Sequence, residues 1–369
     1  MWVGQVELSD FRNHRATSIH LDRGISLLIG RNGQGKTNFV EALVYLAQLS
    51  SHRVSSDSAL VRAGAESAVI RCVVHHDNRE VSLGLEINAK GSNKAKINGE
   101  TVRVSELLGW LKVVLFAPED LDIVRGDPGV RRRFIDEVSV SINPSLHHVL
   151  GRFNKILRQR NALLKSARGR KNVAEELAAW DEDLATVSEN ITQARQATVH
   201  ALEPALIRAY GVIAPGDQVS LSLVLPPVMS GVTQSSPLRE HYLALLRERR
   251  LEEIERGMTL VGPHRDDLDI TLKGLLARTH ASHGEAWSLA LALKIAVAEV
   301  LREQSPSGDP IIVLDDVLAE LDHRRRAAVA GLVGSYDQVL ITAAVEEDIP
   351  DALTGRIFSV SAGEVAAHA

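Results

Sequence analysis

The sequence predicts an α/β fold in which a core is assembled from both ends of the chain. An antiparallel sheet stands at its side, and a mostly helical second domain is inserted between the two halves. Three observations carry this expectation. Apolar runs of strand length lie near both ends, at Ile25-Ser26-Leu27-Leu28-Ile29 and again at Ile311-Ile312-Val313-Leu314. Short strand patterns around the hairpin dipeptide Asn98-Gly99 follow the first of them. From Pro144 the period changes to that of helix: Val173, Leu177, Trp180, Leu184, Val187 and Ile191 recur at alternating steps of four and three. The expected division is residues 1–125, 126–256 and 257–369, the first and last forming one lobe.

Taken in order, residues 3–8 read as an edge strand and 25–29 as a buried strand, with an amphipathic helix over 38–46. Residues 69–75, 81–87, 94–97 and 112–116 supply the side sheet. A helix over 146–167 is broken by Gly169, and the four-three run is ended by Pro204, giving a short helical hairpin. Pro215, Pro226, Pro227 and Pro237 mark turns around a strand at 219–225, and a charged helix spans 237–255. Strands return at 268–272, 311–314, 339–342 and 357–360.

The chain has 369 residues, 45% hydrophobic and 24% charged, the composition of a globular protein of two or three domains. Cys72 is the only cysteine and lies in an apolar run. That excludes disulfide frameworks and thiolate metal sites, and a reducing cytoplasm is the expected compartment. Residues 1–5 lack the layout of a signal peptide. The most apolar helix, over 286–301, carries Lys294 and Glu299 and reads as a core helix. Net charge is −5, so DNA binding would depend on local basic patches.

Gly30-Arg31-Asn32-Gly33-Gln34-Gly35-Lys36-Thr37 fits the phosphate-binding pattern G-x-x-x-x-G-K-[ST], placed between a strand and the helix that opens at Asn38. The glycines let successive N–H groups converge on phosphate oxygens at a helix N-terminus. Lys36 would reach the β- and γ-phosphates and the Thr37 hydroxyl would ligate Mg²⁺, so the chain is expected to bind a nucleoside triphosphate. The run ending in Asp315-Asp316 has the form of the partner strand, with Asp315 holding Mg²⁺ opposite Thr37. The long separation of Lys36 from Asp315 points to the ATP-binding-cassette class of P-loop ATPase heads. In that class Ala281-Ser282-His283-Gly284-Glu285 would be the signature loop. Ser282 and the Gly284 N–H would face the γ-phosphate of ATP held by a second copy. Ala319-Glu320-Leu321-Asp322 would be the D-loop. An ordinary helix cap by Ser282 is the bland alternative.

With these stretches in place the chain resembles the RecF family of bacterial recombinational repair. The resemblance rests on Phe11-Arg12-Asn13, on the phosphate loop through Asn38, and on Pro118-Glu119-Asp120-Leu121 with Gly126-Asp127-Pro128. It rests further on Arg131-Arg132-Arg133-Phe134-Ile135-Asp136, on Gly262-Pro263-His264-Arg265-Asp266-Asp267-Leu268, and on residues 314–322. It implies an ATPase head that dimerises on ATP, acts in the cytoplasm on the nucleoid, and binds DNA at single-strand/duplex junctions. It also implies work with RecO and RecR in loading RecA. The family signature Ser-x-Gly-Gln-Gln-Arg departs here at Glu285, Ala286 and Trp287, which puts the polar contacts behind the loop in doubt. Asp316 stands where transporters carry Glu, and Thr342 where they carry a switch His; the RecF family shares both.

Asp316 is the expected general base or water-positioning group. It is one methylene shorter than Glu, which predicts slow hydrolysis, and the resemblance implies that DNA stimulates it. Arg12 would contact phosphate, as the matching arginine does in related heads, or stand as a plain surface arginine. The candidate DNA patches are Arg131–Arg133, Arg158 with Arg160, Arg168 with Arg170 and Lys171, Arg247 with Arg249 and Arg250, and Arg324–Arg326. His75-His76 and His147-His148 lack metal-ligand spacing. Residues 262–267 are compatible with catalysis or with a turn held by internal ion pairs. Rival readings are a chromosome-organising head, whose long arms this insertion is too short to form, a transporter ATPase, and an ATP-bound scaffold that does not hydrolyse.

Overall fold

The computed structural model describes residues 1–54, 56–76, 79–167, 173–226, 229, 237–304 and 308–368. The chain forms two compact units. The first comprises Met1–Val124, Ala205–Gln218 and Ala281–Ala369; the second comprises Arg125–Pro204 and Val219–His280.

The first unit opens with β1 (Trp2–Phe11), β2 (His14–His20), β3 (Gly24–Ile29) and α1 (Lys36–Gln48). It continues through β4 (Ser67–His76), β5 (Arg79–Asn88), β6 (Lys94–Ile97), β7 (Glu100–Val102) and β8 (Val113–Phe116), to α2 (Leu121–Arg125) at its boundary. The second unit is built from α3 (Pro128–Ile142), α4 (Leu146–Lys165), α5 (Val173–Ile213), β9 (Val219–Val224), α6 (Leu238–Glu248) and α7 (Arg250–Arg256), then β10 (Asp267–Leu272), β11 (Leu275–Leu276) and α8 (Ala277–His280). The last stretch of α5 belongs to the first unit. That unit is completed by α9 (His283–Gln304), β12 (Ile311–Asp315), α10 (His323–Val333), β13 (Gln338–Ala343), β14 (Arg356–Ser361) and β15 (Glu364–Ala367).

Two six-stranded sheets organise the first unit. The side sheet runs β2-β1-β4-β5-β6-β7 and is antiparallel. The core sheet runs β15-β14-β3-β13-β12-β8, parallel except for β15. Strands β12 and β13 are buried at every residue, as a sheet covered on both faces requires. Helix α9 is buried from Ala286 to Leu293 without interruption, matching the apolar run that predicted a core helix. Among the described residues no helix is long and apolar enough to cross a membrane.

Four expectations are corrected. Strand β1 is not an edge: β2 lies outside it, and polar, half-exposed His14–His20 gave too weak a period to announce itself. Residues 112–116 do not join the side sheet; β8 pairs parallel with β12, and its four buried residues carry the continuous apolar pattern of a parallel strand. Pro204 does not end its helix. Helix α5 passes through it because Leu202, Ala205, Leu206, Ala209 and Tyr210 are all buried, and that burial offsets the lost hydrogen bond. Finally, the return to the first lobe falls at 281 and not at 257, because β10 pairs with β9 over Asp267–Leu272 and holds residues 219–280 in the second unit. The expected break at Gly169, the turn at Pro227 and the cluster Arg168, Arg170 and Lys171 lie outside the described residues.

Candidate nucleotide site

Strand β13 lies between β3 and β12 in the core sheet. All three are parallel, so their C-terminal ends bring together the phosphate loop, Thr342 and Asp315. Within the loop Gly33 and Gly35 take φ +81° and +119°, a region that side chains disfavour. At Gly30 a Cβ would stand 2.2 Å from the Val360 carbonyl oxygen, so only glycine passes β14 there. No side chain caps α1, which leaves its N-terminal N–H groups to an anion.

The loop is braced from behind. Asn13 Nδ2 donates to the Gln34 carbonyl (2.9 Å), and Asn38 Nδ2 donates to Asn13 Oδ1 (2.7 Å). The Ala362 N–H donates to Gln34 Oε1 (2.8 Å). His14 is buried, with Nε2 3.0 Å from the Gly35 carbonyl oxygen and Nδ1 2.7 Å from that of Gly363. Burial pulls its pKa below the usual value, against two carbonyls that favour the protonated ring. Arg31 and Asn32 stay exposed at the loop tip.

Lys36 is 3% exposed; its Nζ donates to the Gly30 carbonyl (2.8 Å) and lies 3.4 Å from Asn32 Oδ1 and 3.8 Å from Asp316 Oδ2. Asp316 adopts φ +50°, unusual for a non-glycine residue, and its N–H donates to Thr342 Oγ1 (2.9 Å). Asp315 is buried. Its Oδ1 accepts from Thr342 Oγ1 (2.6 Å) and Thr37 Oγ1 (3.2 Å). Burial pushes its carboxyl up to about 6, the two hydroxyls opposing the rise. A buried carboxylate beside a hydroxyl, both oxygen donors, is the chemistry a hard cation such as Mg²⁺ takes, so the pair fits the expected metal.

The other expected groups lie along α9 and α10. Ser282 caps α9: its Oγ accepts from the Glu285 N–H (3.3 Å), while Glu285 Oε2 accepts from the Ser282 N–H (2.8 Å). Glu285, the departure from the family signature, thus closes a capping box. Asp322 caps α10 through the Arg325 N–H (2.9 Å). Arg325 also lies beside Gly284, a contact with no periodic signal in the sequence. Arg12 lies against α1: Nε and Nη2 pair with Glu41 at 3.0 and 2.7 Å, and Arg53 reaches the same buried carboxylate at 3.4 Å.

Several candidate DNA arginines have structural employment. Arg131 is buried on Asp267, and Arg160 is wholly buried between Asp181 and Glu253. Arg250 pairs with Asp181, Arg249 with Glu252, and Arg326 with Asp348. Arg133, Arg158, Arg247 and Arg324 remain exposed. Residues 262–267 form a turn tied by ion pairs: Asp266 with Arg195 (2.8 Å), and Asp267 with Arg131 (2.7 Å) and Arg278 (3.1 Å).

A phosphate loop at the end of β3, adjacent carboxylates at the end of β12 and an insertion between them define a P-loop ATPase head of the SMC and cassette kind. The Smc head in complex with the C-winged helix domain of ScpA shares the fold, with TM-score 0.58 at 19% identity. The model of the RecF/RecN/SMC N terminal domain family matches residues 2–364. DNA replication and repair protein RecF of Clavibacter sepedonicus is 45% identical over 99% of this chain and 95% of its own length. RecF of Streptomyces avermitilis is also 45% identical, over 99% of both chains. A solved structure described as the recombination mediator protein RecF-ATP in the RecFOR pathway has TM-score 0.91 and 28% identity, covering 100% of this chain and 98% of that one. The chain belongs to the RecF family.

Proposed function

We propose that this protein is an ATP-gated mediator of recombinational gap repair. ATP bound by one copy is enclosed by the signature loop of a second, and the pair so formed engages DNA at single-strand/duplex junctions. What carries the proposal is one juxtaposition: Lys36 and Thr37 meet Asp316 and Asp315 at the ends of β3 and β12. The similarity to a RecF solved with ATP supports that choice of nucleotide.

Gly30, Arg31, Asn32, Gly33, Gln34, Gly35 and Asn38 form and brace the cradle for the phosphates, and Lys36 neutralises their charge. Mg²⁺, held by Thr37 and Asp315, would offset charge on the β- and γ-oxygens. Asp316 orients the attacking water, and Arg12 swings from Glu41 to phosphate. Ser282, Gly284 and Asp322 face the nucleotide of the other copy. ATP acts as the differential ligand that shifts monomer towards dimer, and slow hydrolysis to ADP and phosphate resets it. Through the RecFOR pathway named for its structural relative, the dimer works with RecO and RecR in loading RecA, in the cytoplasm on the nucleoid. DNA is held by its backbone and shape, with an affinity that falls as salt rises.

Gel filtration with and without ATP tests this, repeated with Lys36→Met. The expected result is an ATP-dependent doubling of mass in the wild type alone. A wild type that binds ATP and stays a single copy would refute the proposal.

A further inference from the structure

We propose that Arg325 is a positioning residue that fastens the D-loop to the signature loop, so that both meet a second copy as one preset surface. The inference rests on the ATP-dependent dimer proposed above. One guanidinium serves both loops. Its Nη1 donates to Asp322 Oδ2 (2.7 Å), while its own backbone N–H donates to Asp322 Oδ1 (2.9 Å), so Arg325 fixes the D-loop aspartate twice. Its Nε donates to Ser288 Oγ (2.9 Å), and that hydroxyl donates onward to the Gly284 carbonyl (3.0 Å). A continuous hydrogen-bonded path therefore runs from Asp322 to Gly284 through two side chains.

The geometry around Gly284 agrees. A Cβ there would stand 2.9 Å from Arg325 Nη2 and 3.4 Å from Nη1, so any larger residue would press on the guanidinium and shift it from this place. Ser288 is fully buried, which makes its hydroxyl a fixed relay. Arg325 is 28% exposed and Asp322 55%, so the D-loop end of the path is open to solvent. Lysine would not substitute, because an ammonium lacks the flat fork that serves two acceptors lying in different directions.

Binding to a preset surface avoids the cost of ordering two loops on contact. Loss of the link should therefore weaken the dimer while sparing each copy's own nucleotide site. The experiment uses Arg325→Gln, Ser288→Ala and the double variant, each as the full chain with ATP. It reads dimer dissociation by analytical ultracentrifugation, nucleotide affinity of the monomer, and thermal midpoint. Arg325→Gln should weaken the ATP-dependent dimer by about tenfold, with monomer nucleotide affinity unchanged. Ser288→Ala, which leaves the Asp322 pair intact, should act in the same direction. The double variant should be no weaker than Arg325→Gln alone. Arg325→Lys should fail to restore the dimer.

Wild-type dimer affinity in both single variants overturns the link, as does simple additivity in the double. Loss of nucleotide binding by the Arg325→Gln monomer also overturns it, because the defect would then not be confined to the facing loops. A wild type that never dimerises on ATP overturns the underlying proposal as well, and the two failures are told apart by that control.

Discussion

Thr342 and Asp315, at paired positions of neighbouring parallel strands, share a 2.6 Å hydrogen bond in which the threonine hydroxyl donates to the carboxylate. The same hydroxyl accepts the Asp316 N–H at 2.9 Å, so one side chain fixes both acidic residues at the end of β12. Thr342→Val keeps the shape and removes both bonds. Turnover of ATP should fall by about 10–10²-fold, since an ångström of misplacement costs that much. Thr342→Ser should restore most of it, and nucleotide affinity should change little in either. Steady-state turnover beside equilibrium binding checks this; a valine variant at wild-type speed would contradict it.

Asp316 sits at φ +50°, where asparagine is tolerated far better than alanine or glutamate. Asp316→Asn therefore removes the carboxylate without moving the backbone. ATP hydrolysis should drop to background while ATP-dependent dimerisation persists. Loss of nucleotide binding in that variant would refute the role given to Asp316.

Asp266 and His264, two residues apart in one turn, have pKa values shifted in opposite directions. Burial pushes the Asp266 carboxyl up to about 7, with Arg195 opposing, and pulls the His264 ring down to about 4. Between pH 4 and 6.5 the folded protein holds a proton on Asp266 that the unfolded chain has released. It also lacks one on His264 that the unfolded chain has bound. Asp266 alone would make stability fall as pH rises, and His264 alone would make it fall as pH drops, so the two slopes oppose each other. Relative to the wild type, Asp266→Asn should tilt the profile by about 1.4 kcal/mol per pH unit, towards loss of stability on acidification through that window. Urea unfolding at three pH values measures it. An Asp266→Asn profile parallel to that of the wild type would show that Asp266 carries no such proton.

Arg160 and Arg158 look alike in the sequence and differ in burial. Arg160→Met would leave Glu253 and Asp181 short of their partner, at a cost of about 3–5 kcal/mol. Arg158→Gln should change stability by less than about 0.5 kcal/mol. Chemical denaturation separates them, and equal effects would count against the buried network.

The phosphate loop was legible because its chemistry is local: eight consecutive residues carry the turn, the lysine and the hydroxyl. The carboxylate strand was legible for the same reason, an apolar run ending in Asp315. What could not be read were relations between distant segments. Glu41 is an ordinary helix residue until Arg12 and Arg53 are seen to converge on it. Arg131 and Arg160 fall among the candidate DNA patches in the sequence because no local pattern marks an arginine whose acid lies 136 or 93 residues away.

By itself the sequence determined the α/β class, the phosphate-loop pattern and the presence of a mostly helical insertion, since each is written in short-range spacing and in the period of apolar residues. Only the tertiary structure decided which strands pair, where the second unit ends, and which charges are spent inside the fold. Strand pairing and ion pairing join residues far apart in the chain, and their partners are chosen by burial, which no local window records.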